Sequence, residues 1–125
     1  MTTRGVLTFS GLIMIVQGFL FFVFSIPLTQ QMFPTATDAG IQIGAILREL
    51  LAGGSTFIGI ILYLSRKNTS SSAKRVLVGA CFGFSLVVLI QLKLELTSQA
   101  NIPIIPLLVF AGLALTSFIA ATKSD

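Results

Sequence analysis

Apolar residues dominate four stretches of the chain, and polar residues fall in short clusters between them. The stretches are Val6–Ile26, Ile41–Leu64, Val76–Leu96 and Pro103–Thr122. Each is about as long as the roughly 20 residues an α-helix needs to cross a bilayer core. The pattern predicts an all-α integral membrane protein. It is one membrane domain, residues 1–125, with spans at about 6–26, 41–64, 76–96 and 103–122.

The first stretch follows Arg4 and has the outline of a signal peptide. Its apolar core exceeds the roughly 7–15 residues of an h-region. The small residues Thr35, Ala36 and Thr37 lie well past its end, so a retained first span is expected. Pro27 is expected to end that helix, because proline lacks an N–H and disfavours helix at Ile26. Leu28–Gly40 is then the connection, with Asp38 as cap of the second helix. Pro103 and Pro106 suit the first turn of the fourth, where a missing N–H does little harm.

Charge adds orientation. Arg4 precedes the first span, Arg66, Lys67, Lys74 and Arg75 lie between the second and third, and Lys123 follows the fourth. The other two connections contain no Lys or Arg. The positive-inside rule puts both termini and the basic loop in the cytoplasm. Short loops make neighbouring helices antiparallel, which gives an up-down-up-down four-helix bundle, N-in and C-in. The net charge of +4 is thus a topology signal and not a nucleic-acid footprint. Charged residues make up only 10% of the chain, against about 25% in a soluble domain.

Candidate chemistry is sparse. The chain has no His and a single cysteine, Cys81. That leaves no imidazole ligand or base, no CxxC pair and no intrachain disulfide. Cys81 reads as a small packing residue. No cofactor is implied, and no nucleophile–base pair marks an enzyme.

The polar residues inside the spans are Arg48 and Glu49 in the second, Gln91, Lys93 and Glu95 in the third, and Gln17 in the first. An Arg at the centre of a membrane helix costs about 2.5–3.5 kcal/mol on insertion scales, so such residues face a protein interior, a cavity or a partner. With the basic loop inside, all six fall in the outer half. Arg48 and Glu49 lie roughly 10–12 Å along their helix.

Helical phase sorts them. Gly44, Arg48, Ala52, Ser55 and Gly59 share one face, small apart from the arginine and suited to close packing. Phe84, Val88, Gln91 and Glu95 share a face of the third helix, with Lys93 about 200° away from Gln91. Arg48 is expected to pair with Glu95 beside Gln91. Glu49 is left to pair with Lys93 or to stay protonated, and Gln17 to hydrogen-bond within the bundle. The cluster either locks helix register or forms an outward-opening pocket for a ligand. Gly79 and Gly83 form a GxxxG step, expected to pack inside the bundle, with a homodimer as the alternative.

The run RELLAGGSTFIGIILYLSRK, followed by a basic loop and two apolar spans, resembles the small four-helix membrane proteins of the DoxX-like group. The matching positions are Arg48, Glu49, Gly53, Gly54 and Gly59, and topology extends the similarity over most of the chain. The resemblance implies a bacterial-type inner-membrane protein, some relatives being associated with quinone-linked sulfur oxidation. It carries over no catalytic residue. Small multidrug transporters have similar length and span number, but carry a coupling carboxylate in the first helix, where this chain has only Gln17.

The expected function is non-enzymatic: binding a small amphipathic ligand, or docking as an accessory subunit in a membrane complex. Arg48 would supply a forked donor for a carboxylate, phosphate or quinone carbonyl. The alternative is a dimeric, proton-coupled transporter using Glu49 or Glu95. The lipid bilayer is the one partner common to all of these.

Overall fold

The computed structural model describes residues 2–98 and 100–123, and every regular element in them is α-helical. The helices are α1 (Thr3–Val23), α2 (Ser25–Met32), α3 (Asp38–Ser65), α4 (Ser70–Thr97) and α5 (Ile104–Thr122). By length and hydropathy, α1, α3, α4 and α5 are each sufficient to cross a membrane. Asp125, two residues past Lys123, lies outside the described residues.

Helix ends follow local chemistry. Thr2 accepts the Gly5 N–H at 2.9 Å, and Thr37 accepts the Gly40 N–H at 3.1 Å. Thr37, not Asp38, is therefore the cap of α3; Asp38 occupies its first turn, where a carboxylate favours the positive end of the helix dipole. Pro103 is the N-cap residue of α5, and Pro106 lies in its first turn.

The sequence reading of Pro27 is corrected. The chain does not become a loop there; it breaks at Phe24 and starts α2, with Pro27 in the first turn. A proline ring clashes with the carbonyl four residues back, which is Val23, the last residue of α1. Its missing N–H costs little in the first turn of a new helix. The Phe24 carbonyl accepts the Leu28 N–H at 3.0 Å, the first bond of α2.

α1 is the central helix. It packs along α3 on one side and against α4 and α5 on the other, while α3 and α4 barely meet. The α1–α3 crossing is close because glycines face each other. A Cβ on Gly59 would lie 2.6 Å from the Gly11 carbonyl oxygen, and one on Gly11 would lie 2.8 Å from the Gly59 carbonyl oxygen. Ser55 Oγ donates to the Met14 carbonyl at 2.8 Å between them. Contacts that rise along α1 fall along α3, so the two run antiparallel. The apolar core joins α1 to its neighbours, where Leu7, Leu62, Leu77, Phe84, Phe110 and Leu113 form one cluster. Phe84 and Phe110 place their ring centroids 6.0 Å apart across the antiparallel α4–α5 pair.

These pairings put the start of α1, the end of α3, the start of α4 and the end of α5 at one end. Thr2, Arg4, Arg66, Lys67 and Ser70 line one cleft there, and Lys74 Nζ donates to the Lys123 carbonyl at 2.6 Å. At the other end, the Asn101 N–H donates to the Met32 carbonyl at 2.8 Å, tying the α4–α5 loop to α2. The flanks between the ends expose large apolar side chains such as Phe19, Leu50, Leu51, Phe82, Leu89 and Ile105. Such a surface suits lipid or an apolar partner.

Candidate functional site: an arginine shelf built by the short helix

Arg48 and Glu49 are consecutive on α3, and α2 lies against them. The approach is close because Gly44 lacks a side chain: a Cβ there would lie 2.6 Å from Thr29 Cγ2. Ser25, Thr29 and Met32 follow helical spacing, so one face of α2 presents a hydroxyl, a hydroxyl and a thioether to α3. Ser25 and Thr29 are buried, although both are polar.

Each meets a charged neighbour. Thr29 Oγ1 accepts from Arg48 Nε at 3.3 Å, and Met32 Sδ accepts from an Arg48 terminal nitrogen at 3.2 Å. Thr29 Oγ1 in turn donates a hydrogen bond to the Ser25 carbonyl at 2.7 Å. Ser25 Oγ donates to Glu49 Oε1 at 3.1 Å. The Phe21 ring lies under the guanidinium, with Arg48 Cζ 5.3 Å from its centroid, a cation–π arrangement.

Arg48 is half-buried, and no carboxylate of the described residues forms an ion pair with it. A guanidinium has five N–H donors. One goes to the Thr29 hydroxyl and one to a thioether, a weak acceptor; the rest of the fork carries no partner among the described residues. The result is a positive, planar donor held in place and short of acceptors.

The other residues expected in the cluster lie elsewhere. The Arg48–Glu95 pair does not form, because α1 stands between most of α3 and α4. Glu95 is exposed, and its Oε2 accepts the Ile102 N–H at 3.0 Å, closing the α4–α5 loop. Lys93 is exposed and makes no pair with Glu49, which is exposed as well. Gln91 is half-buried, with its Oε1 shielded and without a hydrogen-bond partner; Gln17 is half-buried on α1. Among the packing residues, Gly44 meets α2, and Ser55 and Gly59 meet α1. Gly79 and Gly83 are corrected: a Cβ on either would meet nothing within 4 Å, so this step does not pack inside the chain.

Sequence reasoning missed Phe21, Ser25, Thr29 and Met32. A signal was present, since Ser25, Thr29 and Met32 recur at helical spacing directly after the apolar run. Treating Pro27 as a stop concealed it.

Among the described residues, no three Cys, Asp or Glu side chains gather as a metal site requires. No protein-family model matches this chain, and no curated protein or solved structure matches it either.

Proposed function

We propose that the chain is a four-span protein of a bacterial-type plasma membrane, with both termini and the basic loop cytoplasmic. Its function is to bind a small amphipathic ligand through Arg48, without catalysis. The observation that supports this is the guanidinium fork, half-buried, pinned by Thr29, Met32 and Phe21, and lacking a carboxylate partner. A carboxylate, phosphate or quinone carbonyl supplies the planar acceptor that such a fork takes. Depth agrees with this assignment. Arg48 is 17 residues from Ser65, about 26 Å along a helix, and the hydrocarbon core is roughly 30 Å thick. A head group at the outer interface would reach Arg48 while its tail lay along the apolar flank of α3.

The alternative, proton-coupled transport, calls for a carboxylate in a shielded site. Glu95 is committed to the Ile102 N–H in the α4–α5 loop, and Glu49 accepts only from Ser25 among the described residues. The resemblance to the DoxX-like group supports the architecture and assigns no ligand.

The test is thermal melting of the purified protein in neutral detergent with oleate, decyl phosphate or decylubiquinone. At least one should raise the melting temperature of the wild type, and Arg48→Gln should remove that rise. If none acts, or if Arg48→Gln responds equally, Arg48 is not a ligand site and its role is to lock α2 on α3.

A further inference from the structure

The basic end of the molecule carries a second feature, remote from Arg48. A cleft of about 560 Å³ opens between the start of α1, the end of α3 and the start of α4, lined by Thr2, Arg4, Arg66, Lys67, Asn68 and Ser70 among others. That volume lies within the roughly 300–1,000 Å³ of small-molecule sites. Among the described residues, three cations line it and no carboxylate does. Asp38, Glu49 and Glu95 all stand at the opposite end; Asp125 is outside the described residues.

The cations are not all loose. Arg66 lies over the Tyr63 ring, with Cζ 3.7 Å from the centroid, which fixes its guanidinium at the cleft wall. α1 and α4 both begin at this cleft, capped by Thr2 and Thr69, and add the positive ends of two helix dipoles to the three side chains.

A second, apolar cavity adjoins the first. It has a volume of about 100 Å³, is lined by Thr2, Gly5, Val6, Phe9 and Thr116, and shares Thr2 with the basic cleft. It runs between α1 and α5, down from the charged end into the apolar flank. A basic cleft and an apolar groove that share Thr2 as a wall match a molecule with an anionic head and a hydrocarbon tail. Free phosphate would use only the first half.

We infer that the basic cleft and its adjoining α1–α5 groove are a binding site for an anionic phospholipid, with the phosphate head group among Arg4, Arg66 and Lys67 and part of an acyl chain in the groove beside Gly5. Basic pockets at the ends of membrane helices suit such head groups. The lipid would hold the start of α1 to the α3–α4 turn by bridging their charges. This site is independent of Arg48 and stands or falls without it.

Native mass spectrometry and thermal melting of the full chain in neutral detergent test it, with phosphatidylglycerol and phosphatidylcholine as probes. Phosphatidylglycerol should stay bound and raise the melting temperature; phosphatidylcholine should do neither. Replacing all three cations, Arg4→Gln with Arg66→Gln and Lys67→Gln, should weaken phosphatidylglycerol binding at least tenfold. The charge-preserving Arg66→Lys with Lys67→Arg should retain most of it, which separates loss of charge from loss of fold. Gly5→Leu, which fills the groove without altering charge, should weaken lipid binding, and Lys93→Gln at the far end should not. Equal binding of the two lipids, or full binding by the triple variant, overturns the site. If inorganic phosphate at millimolar concentration reproduces the whole thermal shift, the cleft takes free phosphate and the lipid assignment is wrong.

Discussion

Ser55 on α3 donates its hydroxyl to the carbonyl of Met14 on α1, 2.8 Å away, at the centre of the crossing framed by Gly11, Gly18 and Gly59. In lipid there is no hydrophobic drive between helices, so close packing and interhelical hydrogen bonds hold the pair. Glycine in a helix interior is worse than alanine by about 0.8–1 kcal/mol, so Gly→Ala ought to stabilise wherever there is room. At Gly59 there is none.

The first prediction follows from that contrast. Gly59→Ala should lower the melting temperature in detergent, because its Cβ would press on the Gly11 carbonyl and the Ile15 N–H. Gly79→Ala should leave it unchanged or higher, since the space there is open. Overpacking typically costs about 1–3 kcal/mol, which outweighs the propensity gain. Equal responses at the two positions would place the tight crossing elsewhere.

Ser10 and Ser117 give a prediction of the opposite sign. Both are fully buried, and neither hydroxyl has a hydrogen-bond partner among the described residues. An unsatisfied buried polar group costs roughly 1–3 kcal/mol, and alanine removes it while leaving only a small void. Ser10→Ala and Ser117→Ala should melt at or above the wild-type temperature. A marked loss in either would mean that its hydroxyl has a partner in the membrane.

The four long helices were legible because apolar run length is a strong signal, and the small face of α3 because helical phase is regular. Neighbour choice was not legible. Helical phase and similar depth favour Arg48 with Glu95, but nothing in a linear pattern shows that α1 occupies the space between their helices. Glu95 instead satisfies the Ile102 N–H seven residues away, a local need that competes well with a distant ion pair. The partners of Arg48 were hidden for a local reason too. Pro27 stops α1 through Val23 and suits the first turn of α2 with the same ring, so one residue carries both a stop and a start signal.

Orientation yields a labelling prediction. In a Cys81→Ala background, an impermeant thiol reagent added outside intact cells should reach a cysteine at Thr35 and not one at Ser71. Thr35 stands at the turn after α2, and Ser71 at the start of α4 by the basic cleft. The reverse pattern would invert the protein, and with it the leaflet assigned to each site.

The last prediction concerns what Arg48 interacts with. It touches Thr29 and Met32 on α2, so α2 should be docked on α3 through the guanidinium. Removing either member of an interacting pair makes part of the other's contribution disappear, and a double-mutant cycle measures that part. Arg48→Met with Thr29→Val should show coupling of roughly 0.5 kcal/mol or more, as residues in direct contact do. Arg48→Met with Glu95→Leu should be additive within about 0.5 kcal/mol, because the two residues share no partner. Each single change should also act differently. Thr29→Val removes an acceptor and leaves a half-buried cation with one hydrogen bond fewer, whereas Arg48→Met removes the cation itself. Thr29→Val should therefore destabilise in the wild-type background and cost far less once Arg48 is methionine. Melting temperatures of these six proteins, wild type included, decide it. Coupling between Arg48 and Glu95 with none to Thr29 would dismantle the arginine shelf and move the site to the α3–α4 side.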